Sequence, residues 1–404
     1  GPFALSVLSF LILRTIATDP EVRMNAEELI KYWKYPFDQA VAQTDDGYLL
    51  TLFRIKHGRT VCSSILGPPF VLAHGLGASA DHWLMNPPES NPAFILADAG
   101  FDVWLLNFRG AKYSKTHVQF NQNSSEFWRF SWDQMAQYDL PASIDAILRI
   151  NGADRIYYGG HSQGTTILFG KLARDPDYAS KIARFFALAP IITSKYMRGP
   201  MTGLFFLLPI LQQSEDMLGS REYSPLSQLL GDKTSDWFCT FAQMTTLCQS
   251  MIEVMGGTSE QGVFNATRSD VYLSHYSGLS SRRNFIHRAQ MIWRDETRMY
   301  DFGNAKFNQF HYGQISPPAY NFTAIRNVFI HLFYSASDNI ATAEDIEREV
   351  LPKHLRKDVV KEAVKVLGYA HFDFIYGTTL KSVIFDKIIN VIRTQDGFIG
   401  GCAM

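Results

Sequence analysis

The sequence predicts an α/β fold, a mostly parallel β-sheet flanked by helices and interrupted by one long, mostly helical insertion. Three observations predict it. Short buried runs, Phe70-Val71-Leu72-Ala73 and Phe101-Asp102-Val103-Trp104-Leu105-Leu106, each end in a glycine-containing loop, His74-Gly75-Leu76-Gly77 and Asn107-Phe108-Arg109-Gly110. Helical stretches such as 135–150 separate such runs, and strands alternating with helices are the signature of a parallel sheet. The rhythm runs to Leu188, breaks, and resumes at Asn327. The expected organisation is therefore a sheet domain in two parts, 19–189 and 326–396, with an insertion at 190–325, a signal remnant at 1–18 and a tail at 397–404.

Bulk composition narrows the function. A chain of 404 residues, 46% hydrophobic, can bury a sizeable core. Lys and Arg number 38 against 39 Asp and Glu, which leaves no electrostatic reason to expect a nucleic-acid partner. Aromatic residues at 14% fill a core or line an apolar cavity, and composition does not separate the two.

Taken in order, Phe3 to Leu13 is an apolar run too short to span a bilayer; it fits a secretory signal cleaved near Ala17 or Thr18. Asn123-Ser124-Ser125, Asn265-Ala266-Thr267 and Asn321-Phe322-Thr323 have the form of glycosylation acceptors, which corroborates secretion. The run Gly203 to Leu211 is interrupted by Pro209, so an integral membrane protein is not expected. Val22 to Trp33 reads as a helix with Asn25 as cap and Glu28 completing a capping box. Ala40 to Asp45 and Tyr48 to Ile55 flank Asp46-Gly47 as a hairpin. Ile156-Tyr157-Tyr158 is a strand and Thr165 to Phe169 opens a helix, with Phe185 to Leu188 the next strand. Within the insertion, Met291 to Met299 reads as a helical patch and Gln309 to Pro318 as a turn-rich exit. Val328 to Phe333 is a strand, Ala343 to Val350 a helix, Val359 to Val366 a strand or amphipathic segment, and Ser382 to Ile392 a closing helix. Cys239 and Cys248, nine apart, are a candidate local disulfide, whereas Cys62 and Cys402 have no evident mate. No run of residues has metal-ligand spacing, and no cofactor is expected.

The chemistry centres on Gly160-His161-Ser162-Gln163-Gly164. A serine on a sharp turn between strand and helix needs small neighbours at close approach, and the helix start offers free N–H groups to a developing negative charge. Ser162 is the expected nucleophile. It needs a histidine to take its proton and a carboxylate to orient the imidazole, and nucleophiles on such turns precede first the acid and then the base. His371, in a loop after Gly368-Tyr369-Ala370, is the expected base. Asp338, just past the strand through Phe333, is the expected acid. Asp373 is the rival acid, read instead as a helix cap. His161 is read as packing beside the sheet, and His74 as holding the loop that carries the oxyanion donors. Those donors are expected to be the backbone N–H groups of Leu76 and Gln163.

On these residues the chain resembles the acid lipases, the gastric and lysosomal lipases of the α/β-hydrolase fold. Further marks are Pro20-Glu21-Val22, Met24-Asn25, Tyr32-Trp33, Tyr35-Pro36, Asp46-Gly47-Tyr48, Ala97-Asp98-Ala99-Gly100-Phe101-Asp102-Val103-Trp104 and Tyr138-Asp139-Leu140-Pro141-Ala142. The resemblance runs from about Asp19 to Val391. It implies Ser162, Asp338 and His371 as triad, Leu76 and Gln163 as oxyanion donors, a disulfide between Cys239 and Cys248, and a lid within the 190–325 cap. It implies as substrates triacylglycerols or cholesteryl esters, met at a micelle, droplet or membrane surface, with activity at acidic pH in a secreted or lysosomal setting. A carboxylesterase of smaller esters and a non-catalytic lipid-binding protein are the competing accounts.

Overall fold

The computed structural model describes residues 19–60, 66–224, 245–276 and 278–400. The expected signal segment and Cys62, Cys239 and Cys402 lie outside them.

Among the described residues eight strands of four to eight residues and one of two form a nine-stranded sheet. The first two strands, β1 (Asp38–Gln43) and β2 (Tyr48–Ile55), form the hairpin expected across Asp46-Gly47, where Gly47 takes φ +97°. There follow β3 (Pro69–Ala73), β4 (Asp102–Leu105), β5 (Thr116–His117), β6 (Ile156–His161) and β7 (Ile182–Leu188). After the insertion, which contains the short pair β8 (Glu222–Tyr223) and β9 (Ser280–Ser281), the sheet resumes with β10 (Ile330–Tyr334) and β11 (Val360–Lys365). The order is β1-β2-β4-β3-β6-β7-β10-β11, with β5 on β2, and every pair from β4 to β11 is parallel. Strand order reverses between β3 and β6. In a parallel sheet such a reversal opens a crevice at the strands' carboxyl ends, because the following helices leave to opposite faces.

Helices cover the sheet where their apolar faces demand it. Asn25 caps Ala26–Tyr32 as expected: its side chain accepts from the Glu28 N–H at 3.0 Å, and its own N–H donates to the Glu28 carboxylate at 2.8 Å. Gln163–Arg174 follows Ser162 directly, buried along most of its length.

The insertion between β7 and β10 is mostly helical, with Gly203–Leu218, Thr245–Gly256, Ser269–His275, Arg282–Met291 and Ala305–Tyr312. It is tied to the core by Arg268, whose guanidinium donates to the Glu21 carboxylate at 2.8 Å and the Met85 carbonyl at 2.7 Å. Two expectations fail here. The helical patch placed at Met291 to Met299 is instead the end of Arg282–Met291 followed by turns. Residues 293–296 are all exposed, so they have no apolar face to bury, and Trp293 adopts φ +59°. The disulfide between Cys239 and Cys248 is also corrected. No cysteine pair is found among the described residues, and Cys239 itself lies outside them. Cys248 belongs to the helix Thr245–Gly256, and nine residues of separation do not by themselves bring two sulfurs together, since bridging needs Cα atoms within about 7 Å. Among the described residues no helix is long and apolar enough to cross a membrane.

Candidate active site

Ser162 sits at the carboxyl end of β6 with φ +52° and ψ −120°, a conformation that side-chain-bearing residues rarely adopt. The turn closes only because its flanks are glycine. A Cβ on Gly164 would lie 2.3 Å from the Ala73 carbonyl oxygen of β3, and one on Gly160 would lie 2.9 Å from the Gly164 backbone. Tyr158 donates to the Gly164 carbonyl at 2.8 Å, and Thr165 Oγ1 donates to the Ser162 carbonyl at 2.6 Å, so the strained turn is held from both sides.

Three residues far apart in sequence converge on this turn. His371 Nε2 lies 2.9 Å from Ser162 Oγ, and His371 Nδ1 lies 2.8 Å from Asp338 Oδ2. Asp338 follows β10, and its other oxygen accepts the Ile340 and Ala341 N–H groups, both at 2.8 Å. Those bonds hold the carboxylate in place, and its free oxygen fixes the imidazole proton on Nδ1. Nε2 is then free to accept the serine proton. Ser162, His371 and Asp338 are buried at 7%, 2% and 0% exposure.

Leu76 stands in the loop after β3, beside Ser162 in one pocket, and Gln163 begins the helix after it. Neither backbone N–H has an acceptor among the described residues, as oxyanion donors require. Tyr276 of the insertion donates to the Leu76 carbonyl at 3.2 Å. His74 behaves as read: its ring bonds the Gly75 carbonyl at 2.8 Å and accepts from the Phe108 N–H at 3.2 Å, and burial pushes its pKa down to about 4. His161 does more than pack. Its Nε2 lies 3.0 Å from the His371 carbonyl and steadies the loop of the base. Asp373 accepts the Ala370 N–H at 2.7 Å just before His371, so it braces that loop from the other side and points at neither imidazole nitrogen.

Two contributors escaped the sequence reading. The carbonyl of Gly256, at the end of a helix of the insertion, accepts from both the Asn339 and the His371 N–H groups at 3.1 Å. One oxygen thus joins the loop after Asp338 to the loop of His371. A Cβ on Gly256 would lie 2.8 Å from the Phe372 ring and 3.2 Å from His371 Cβ, and Gly257 packs against the Ser337 carbonyl. The Gly256-Gly257 pair was visible in sequence, but its partners were not. The other is Arg288, which lines the serine pocket. Its signal was a charged residue in the apolar company of Phe285, Ile286, Ala289 and Met291.

The serine pocket shares Met255, Tyr276 and Phe372 with a second space that is also lined by Ile252, Tyr272, Leu273 and Tyr376. That space is almost wholly apolar and built largely from the insertion. Asn123 and Asn321 are exposed and Asn265 is half-buried.

Comparison with known proteins agrees with this geometry. A family model described as a partial alpha/beta-hydrolase lipase region matches residues 26–87, and one described as the alpha/beta hydrolase fold matches 68–219. The chain is 38% identical to lipase member K of Mus musculus over 93% of its own length and 92% of that protein's. It is 36% identical to the lysosomal acid lipase/cholesteryl ester hydrolase of Homo sapiens, again over 93% and 92%. Among solved structures, an esterase from Exiguobacterium antarcticum superposes with a TM-score of 0.50 at 11% identity, covering 88% of this chain and 100% of that one, which shows the fold. The chain belongs to the α/β-hydrolase superfamily and, within it, to the acid-lipase-like family of ester-hydrolysing enzymes.

Proposed function

We propose that the protein hydrolyses neutral lipid esters, triacylglycerols or cholesteryl esters, by two-step acyl transfer. Ser162 attacks the ester carbonyl while His371 takes its proton and Asp338 stabilises the imidazolium. The N–H groups of Leu76 and Gln163 hold the oxyanion. His371 then protonates the leaving alcohol, and in the second step it activates water to release the acid. The observation that carries this reading is the continuous chain from Asp338 through His371 to Ser162, beside an almost wholly apolar space that shares Met255, Tyr276 and Phe372 with the serine pocket. The 190–325 insertion acts as cap and lid in this account. Phe206, Leu207 and Ile210 stand exposed on its helix Gly203–Leu218, as contact with a lipid surface requires. Secretion or delivery to lysosomes, with glycans on Asn123, Asn265 and Asn321, completes the proposal.

Ser162→Ala tests the chemistry. It is expected to abolish both ester hydrolysis and labelling by a fluorophosphonate, and retention of either would sink the assignment. Relative kcat/KM on octanoyl and acetyl esters of one alcohol separates this reading from a small-ester carboxylesterase. The apolar space predicts a preference of at least tenfold for the longer chain, since each buried methylene contributes about 0.8 kcal/mol.

A further inference from the structure

Among the described residues Arg288 is a buried arginine with no ion-pair partner. It lies in the buried face of the helix Arg282–Met291, is 2% exposed, and lines the same pocket as Ser162 and His371. Among the described residues its hydrogen bonds are weak: one to the Met291 sulfur at 3.6 Å and one to the Gln163 side-chain carbonyl at 3.4 Å. No carboxylate lies within ion-pairing distance among the described residues. Elsewhere in this protein buried arginines are paired. Arg109 meets Asp46 and Asp139, Arg54 meets Asp102, and Arg268 meets Glu21. Burial pushes the Arg288 pKa down to about 10, so the guanidinium is still charged at neutral pH.

An uncompensated buried cation costs a protein stability, and a planar fork of five donors matches one ligand chemistry best, a carboxylate or phosphate oxyanion bound side-on. We propose that Arg288 forms an anion-receiving site beside Ser162 that binds the oxyanion of a lipid, in the first place the carboxylate of the released fatty acid. The proposal rests on the ester-hydrolase reading above and deepens it. Hydrolysis in this pocket creates a carboxylate where none stood before, and Arg288 is the charge that meets it. Gln163 links the two events, since its backbone is the proposed oxyanion donor and its side chain holds the guanidinium. The site makes the free acid a tight product ligand, so turnover slows as acid accumulates.

Titration calorimetry with octanoate as probe tests this without requiring turnover. The unsubstituted protein is expected to bind octanoate at least tenfold more tightly than octanol at pH 7. Arg288→Met is expected to weaken octanoate at least tenfold with octanol changed less than threefold, and Arg288→Lys to recover most of the octanoate affinity. Because it removes an unpaired buried charge, Arg288→Met is also expected to raise the melting temperature. A second arm compares hydrolysis of the butyl monoester of succinate with that of the dibutyl ester. If Arg288→Met shifts that ratio and spares octanoate binding, the oxyanion belongs to an anionic headgroup and the fatty-acid assignment is overturned. Equal affinity for octanoate and octanol, an unchanged octanoate affinity in Arg288→Met with an unchanged ester ratio, or a marked loss of thermal stability in that variant would overturn the site itself. Failure of Ser162→Ala to abolish hydrolysis would overturn the ester-hydrolase reading alone, leaving octanoate binding as a separate result.

Discussion

At single residues, geometry separates groups that do chemistry from groups that hold them. Asp338 spends one oxygen on two backbone N–H groups and the other on His371, so Asp338→Asn is expected to preserve the fold while presenting an amide to Nδ1. The imidazole then takes the wrong tautomer, and kcat is expected to fall about a thousand- to ten-thousandfold in steady-state assays. Gly164 has the opposite character. A methyl there meets the β3 backbone at 2.3 Å, and neither backbone can retreat without breaking the sheet. Gly164→Ala is expected to cost more than ~3 kcal/mol in chemical denaturation. Ser162, His371 and Asp338 were legible because their residue types, order and strand-end positions are each constrained by chemistry. Arg288 was not, since a lone arginine in sequence carries no sign of whether a partner will fold against it.

Among elements, strands and caps were legible and the insertion only in outline. The Asn25 box, the Asp46-Gly47 turn and the strands ending in glycine loops depend on neighbours within a few residues, and all form as expected. The stretch Met291 to Met299 misled because its apolar ends suggested a helix, whereas Trp293 to Glu296 stay in solvent. Contacts of the insertion with the loops of β10 and β11 could not be read, because they join residues about 80 to 115 positions apart. The Gly256 carbonyl supplies the sharpest test at this scale. Gly256→Ala pushes on Phe372 and His371 together and is expected to lower kcat roughly ten- to a hundredfold. The rate of fluorophosphonate labelling should fall in parallel; an unchanged labelling rate would show that the carbonyl does not position the base.

Across the whole molecule, the titrating groups set a pH dependence of stability that opposes the acidic activity implied by family resemblance. Burial holds His74 and His82 neutral, at about 4 and about 3, and His161 well below its ordinary value. These folded-state values lie under the unfolded value near 6.5, so the stability they contribute is present above that pH and is lost as pH falls below it. Burial raises Asp139, Asp345 and Asp373 to about 6, which works the other way: folding favours their protonated forms, and stability rises as pH falls through 6. His74 and His82 are each worth on the order of 2–3 kcal/mol at pH 4.5, and each of these carboxylates on the order of 2 kcal/mol. Burial lowers His287, His331 and His354 as well, so the histidines outweigh the carboxylates and the melting temperature is expected to be lower at pH 4.5 than at pH 7; a higher one would mean that the histidines are not neutral in the folded state. The same accounting gives the Gly256 carbonyl a meaning for protein engineering. Because acid and base loops are both fastened to it, the insertion is not an interchangeable attachment. A chimera that grafts a relative's insertion onto this sheet would inherit the new pocket yet misalign its own imidazole, unless residues 256 and 257 travel as part of the recipient.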